Sequence, residues 1–186
     1  MTKLDRDVIV AEALALLDEV GLDAVSTRLL ARRLGVEQPS LYWHFRRKAE
    51  LLTAMAKAAM APHAAAPLPG PADDWREWFR GNWGSFRSAL LMHRDGARLH
   101  AGTNPQGEDL SRALHKMEFL IAAGLPERAV KTAMLTAGHF TVGSVLEQQS
   151  AGGAGDGIDG LGMGHDEAFD AGLRLIIEGL GRAALG

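Results

Sequence analysis

Apolar residues in this chain recur every three or four positions, and no stretch alternates strictly between apolar and polar residues. That spacing commits the chain to helices packed on one another rather than to a sheet. Ile9, Ala13, Leu16, Leu17 and Val20 form one stripe behind Asp5, a good N-cap residue, and Gly21 ends it. A second helix is predicted from the Ser26/Thr27 cap to Gly35, and a very short third one opens at Gln38-Pro39, where a proline in the first turn costs no hydrogen bond. A fourth begins near Lys48 with Leu51, Leu52, Met55 and Ala59 on one face. Trp75, Trp78, Phe79, Asn82, Phe86 and Leu90 mark a long aromatic-faced helix, and helices near 108–123, 127–149 and 166–184 complete an all-α fold. Leu173, Ile176, Ile177 and Leu180 form the inner stripe of the last.

Prolines and glycines divide this series. Pro62, Pro67, Pro69, Gly70 and Pro71 read as a linker, and the glycines between Gly152 and Gly164 read as a mobile loop before the last helix. The expected organisation is an N-terminal domain over residues 1–47, a connecting helix and linker over 48–66, and a second helical domain over 67–186. With 186 residues and no cysteine, the chain can bury an adequate core without disulfides or thiolate-bound metal. The first residues reach charge before any apolar run, and about 18 apolar residues never run together, so the expected location is the cytoplasm.

The net charge of −3 excludes a protein coated in positive charge, but it conceals a local excess. Arg28, Arg32, Arg33, Arg46, Arg47 and Lys48 face a single acid, Glu37, between residues 26 and 48. Two short helices joined at Gly35-Val36-Glu37 have the length and turn of a helix-turn-helix. Arg28 can fork onto the O6 and N7 of guanine, Gln38 can bond the N6 and N7 of adenine, and Pro39 can meet a thymine methyl. Ser40, Tyr42, His44 and Lys48 suit phosphate oxygens. The plainer alternative is a solvated basic face. Exposed aromatics on a helix too short to need them for its core argue for nucleic acid.

Residues 26 to 45, Ser-Thr-Arg-Leu-Leu-Ala-Arg-Arg-Leu-Gly-Val-Glu-Gln-Pro-Ser-Leu-Tyr-Trp-His-Phe, closely resemble the recognition region of the tetracycline-repressor (TetR) family. The Gln-Pro-Ser-Leu-Tyr-Trp-His stretch is similar to that of the tetracycline repressors proper. The resemblance continues through Phe-Arg-Ser-Ala-Leu-Leu, Arg94-Asp95-Gly96-Ala97, His100-Ala-Gly-Thr103-Asn-Pro105 and Gly138-His139-Phe140-Thr141-Val142-Gly143, and covers roughly residues 4 to 149. It implies an all-helical homodimeric repressor that leaves a palindromic double-stranded operator when a small effector binds. It also adds Thr27 and Trp43 to the DNA-contacting set.

Asn82 and Phe86 are four apart and project together from one helix, as do His139, Gly143 and Glu147 from another. His100 stands where a short helix should end before Gly102. The resemblance implies that His100 ligates the magnesium of a tetracycline chelate and that Glu147 of the partner subunit holds one of its waters, a role consistent with the few protein ligands magnesium takes. Asn82, Phe86, Thr103, Pro105, Lys116, Met134 and His139 would line the pocket. His63, His93, His115 and His165 read as ordinary local contacts, and Trp75, Trp78 and Trp83 as packing. The resemblance breaks where the drug repressors carry a His at Ala64, an Arg at Asn104, a Gln at Lys116 and an apolar residue at Lys131, and the glycine-rich segment replaces a helix that closes their pocket. Besides tetracycline and antibiotic resistance, another aromatic polyketide, an acidic or metal-free effector, or no effector therefore stays open. From another class, a metal-dependent hydrolase would draw on His100, His139 and Glu147, but no His-Glu-x-x-His pair or nucleophile elbow supports an enzyme.

Overall fold

The computed structural model describes residues 4–101, 103, 106–150, 157–158 and 162–184. Expectations resting on Gly102, Asn104, Pro105 and most of the glycine-rich run lie outside those residues. Among the described residues the chain forms ten helices: α1 (Arg6–Val20), α2 (Thr27–Leu34), α3 (Gln38–Tyr42), α4 (Lys48–Ala59), α5 (Ala61–Ala64), α6 (Trp75–Leu91), α7 (Gly96–His100), α8 (Glu108–Ala122), α9 (Glu127–Ser150) and α10 (His165–Arg182). The helical spacing and caps placed most of these boundaries. Asp5 Oδ1 accepts from the Val8 N–H at 2.9 Å, and Ser26 Oγ from the Leu29 N–H at 3.2 Å.

Two features depart from the sequence. The proline-rich linker contains α5, a four-residue turn too short to show an apolar period. Within the segment expected to be only a loop, β1 (Gly157–Ile158) pairs antiparallel with β2 (Met163–Gly164), joining Gly157 to Gly164 and Ile158 to Met163. Two-residue strands contain no alternation to detect.

The chain divides into two compact units. The first comprises residues 1–62 and 89–103, so it takes in α1 to α4 together with α7. Ile9, Ala13, Leu17, Leu30, Leu41, Phe45, Leu51 and Met55 make its core, and Leu99 of α7 is buried in the same cluster. Each of the larger of these side chains contributes on the order of 1.5–3 kcal/mol relative to exposure. Gly35 ends α2 at φ 67°, which a side chain would disfavour, and this turn sets α3 against α2.

The segment leading into α7 is tied to the end of α1. His93 Nδ1 lies 3.0 Å from Asp18 Oδ2, and the Arg94 N–H donates to Asp18 Oδ1 at 2.9 Å. Asp95 Oδ2 accepts from the Leu22 N–H at 2.8 Å, and Arg98 donates to Asp23 at 2.8 Å. At Gly96 a Cβ would stand 2.0 Å from the Leu90 carbonyl oxygen, so only glycine permits this approach.

The second unit comprises residues 63–88 and 104–186. Its core is aromatic: Trp78 meets Phe119 edge-on at 5.2 Å, and Phe79, Trp83 and Phe86 follow along α6 at 6.0 and 5.7 Å between successive rings. α9 packs along α10, where Phe140 stacks on Phe169 at 5.5 Å. Arg87 joins α6 to both, donating to Gln148 and Asp166 at 2.7 Å each. Ala133 and Ala137 of α9 are buried within their own chain, and the exposed apolar side chains of these helices include Leu135 and Leu175, 61% and 70% exposed. A period of four marks a buried stripe without saying which helix covers it.

Candidate nucleic-acid interface and effector site

The first site is built on α2 and α3. Leu30, Leu41 and Phe45 are buried, and anchoring them leaves the intervening side chains on the opposite face. Arg28, Pro39 and Lys48 are exposed, while Thr27, Gln38, Ser40 and His44 are half-buried. Trp43 is 91% exposed and Tyr42 46%, although both are large aromatics. Gln38 Nε2 donates to Thr27 Oγ1 at 2.9 Å and to the Tyr42 hydroxyl at 3.3 Å, so this amide is held in place before any ligand arrives. Thr27 thus does more than start a helix: its hydroxyl fixes the orientation of a neighbouring side chain.

Charge counting overstated the free positive charge. Arg33 is bound by Glu12 at 2.8 Å and Glu19 at 2.6 Å, which raises its pKa above the ordinary arginine value and turns it toward α1. Arg47 lies 3.5 Å from Glu50. Arg6, which no motif singled out, donates to the His44 carbonyl and stacks 4.2 Å over the Phe45 ring, securing the end of the recognition segment. Nothing in its sequence surroundings signals that contact, because it joins residues 38 apart.

His100 closes α7 and is half-buried; burial holds its imidazole below the ordinary histidine range, leaving it neutral at neutral pH. Thr103 is exposed, with its Oγ1 3.4 Å from His100 Nδ1. Both belong to the unit that carries α3. Arg98, two residues before the end of α7, holds the Asp23 carboxyl below the usual carboxylate range through its hydrogen bond and charge.

In the second unit Phe86 and Met134 are buried, Asn82 and Lys116 half-buried, and His139 and Glu147 exposed on α9. A Cβ at Gly143, between those two, would meet nothing within 4 Å, so the stripe is open as its spacing suggested. Pro105 lies outside the described residues. The His63 ring lies 5.4 Å from Phe86, with its Nδ1 3.1 Å from Ser85 Oγ and its Nε2 3.5 Å from Lys116 Nζ. α5 places it there, and the missed helix is why the sequence did not.

Residues 9–55 match the family of bacterial regulatory proteins called tetR, and residues 66–158 match the tetracyclin repressor-like C-terminal domain. The chain is 42% identical, over its full length and 94% of the relative, to the tetracycline repressor protein class A from transposon 1721 of Escherichia coli. It belongs to the TetR family. It is a ligand-responsive, DNA-binding transcriptional repressor of that family. Among solved structures, SCO0253, a TetR-family transcriptional regulator from Streptomyces coelicolor, is 60% identical with a TM-score of 0.78 and 97% of each chain covered. TetR class A in complex with 5a,6-anhydrotetracycline and magnesium is 42% identical with a TM-score of 0.82, covering 96% of this chain and 99% of that one. Within this TetR-family chain, no helix among the described residues is long and apolar enough to cross a membrane.

Proposed function

We propose that this repressor reads a palindromic operator through Arg28, Gln38 and Pro39, with Thr27, Ser40, Tyr42, Trp43, His44 and Lys48 setting its position on the backbone. The exposed face of α3, with Gln38 already held by Thr27, is the observation that carries this reading. Residues 1–47 carry the elements that read DNA, 48–66 connect them, and 67–186 carry the effector and dimerisation elements, apart from residues 89–103, which complete the reader's unit. Two copies associate through α9 and α10, and the protein works in the cytoplasm as a regulator without catalytic activity. The regulatory names of its relatives support the last point.

The effector is an aromatic molecule of the polyketide type, contacted by Asn82, Phe86, Thr103, Pro105, Lys116, Met134 and His139. The neutral imidazole of His100 has the chemistry to hold a chelated magnesium, and Glu147 of the partner subunit would take one of its waters; the ion would offset the negative charge of the ligand's oxygens. His100 sits on α7, which shares its buried cluster with α1 and α4. An effector that engages His100 therefore acts on the body that carries the recognition helix, and shifts the population between DNA-competent and incompetent forms. Half-sites about 34–36 Å apart tolerate little change in the spacing of two readers.

Fluorescence anisotropy with a palindrome selected from random duplexes tests the reading. Nanomolar binding that weakens steeply with salt, and is reversed by anhydrotetracycline or a related aromatic compound, is the expected result. Binding insensitive to salt would sink it. A second version, with an acidic effector and no metal, is favoured by Lys116.

A further inference from the structure

Midway along α8, the Lys116 ammonium is half-buried and turned toward the His63 ring. Arg112, one turn earlier on the same helix, donates to the Ala66 carbonyl. Burial, and secondarily the charge of Arg112, bring the Lys116 pKa down to about 8. The cation still prevails at neutral pH, but the fold opposes it. Among the described residues no carboxylate lies within ion-pair distance of it. A lysine kept only for its aliphatic stem would send its charge to water; this one sends it to an imidazole beside Phe86.

The surroundings of Phe86 have the same bias. Ser85 offers a hydroxyl, His63 an imidazole, and the Trp83 indole, 5.7 Å from the Phe86 ring, is buried with no acceptor for its N–H among the described residues. A buried donor without a partner costs on the order of 1–3 kcal/mol, so such groups persist where something else satisfies them. Three rings supply apolar faces; His63 Nε2 accepts from the ammonium and its Nδ1–H is turned to Ser85 Oγ, which leaves the Lys116 ammonium and the Trp83 N–H as the donors toward a ligand. Their chemical complement is flat, aromatic and rich in acceptors, with a negative charge.

We propose that Lys116, held by His63, and the Trp83 N–H form an anion-accepting subsite beside Phe86, and that the effector is an aromatic acid bound without a divalent metal. This rests on the aromatic-effector reading above. The acidic group, a carboxylate or an ionised enol or phenol, pairs with Lys116 Nζ. The protein itself then supplies the positive charge that a chelated metal would otherwise bring.

The test uses the full-length protein in EDTA, with an anthraquinone carboxylic acid (rhein), its methyl ester, and anhydrotetracycline with and without added magnesium. Binding is followed by calorimetry and tryptophan fluorescence. The acid should bind wild type in EDTA, and Lys116→Gln should weaken it by on the order of tenfold while leaving the ester unchanged. Lys116→Arg should retain the preference for acid over ester. Thermal unfolding of Lys116→Gln checks folding, and a melting temperature at or above wild type is expected because a half-buried charge is gone. Equal binding of acid and ester to wild type, no effect of Lys116→Gln on the acid, or binding that requires magnesium overturns the subsite. If none of the three probes binds wild type at all, the aromatic-effector reading fails first.

Discussion

In the DNA-reading unit polar side chains hold one another, whereas in the effector unit several are left waiting. Gln38 is fixed by Thr27 and Tyr42, Arg33 by Glu12 and Glu19, and Asp23 by Arg98, all on top of an aliphatic core. The second unit buries Trp83 Nε1 and Arg87 Nε without acceptors among the described residues, and it half-buries a lysine against another cation. A surface that must fit one fixed partner gains from being set in advance, because less freedom is lost on binding. A site that reports the arrival of a small molecule gains from groups that are satisfied only once it has arrived.

The largest effect that would sharpen this contrast lies in the reader's core. Phe45→Ala should cost about 3–5 kcal/mol in chemical denaturation, with α3 losing the anchor that sets its face. Gln38→Ala should leave the far-ultraviolet circular dichroism unchanged and cost about 1–3 kcal/mol of discrimination at its base pair. If it lowers affinity equally for all sequences, Gln38 is not a reader and the contrast weakens.

Lys116→Met should stabilise the protein by roughly 1 kcal/mol, about 2–4 °C in melting temperature. The lysine pKa near 8 is below the 10.5 of an exposed side chain. The unfolded chain therefore keeps an extra proton between those values, so wild-type stability should rise with pH across that window, and the variant should lose that rise. A flat wild-type profile there would show that the ammonium is well solvated. The smallest effect concerns salt. Lys48→Ala should lower the slope of operator affinity against salt by about one unit, and Arg33→Ala by less, since its charge is already met by two carboxylates.

Local rules made the helices legible. Asp5 and Ser26 cap where their chemistry requires, and the apolar period of three and four places α1, α2, α4 and α9 within a residue or two. The helix-turn-helix was readable for the same reason, since all its parts lie within 23 residues. What stayed hidden joins distant residues. His63 and Lys116 are 53 apart, Arg33 meets acids 21 and 14 positions away, and Arg6 reaches His44 across 38. No spacing rule spans such gaps, and α5, which delivers His63, is a single turn amid prolines.

The reader is not a contiguous piece of sequence. Leu99 closes part of its core, and Asp18, Leu22 and Asp23 find their partners between His93 and Arg98. A chimera that exchanges only the first 62 residues between relatives would pair each new α1 with a foreign clasp. Grafting residues 89–103 along with them transplants the reader whole, and with it His100, so a new operator preference and part of the effector response travel as one inheritance.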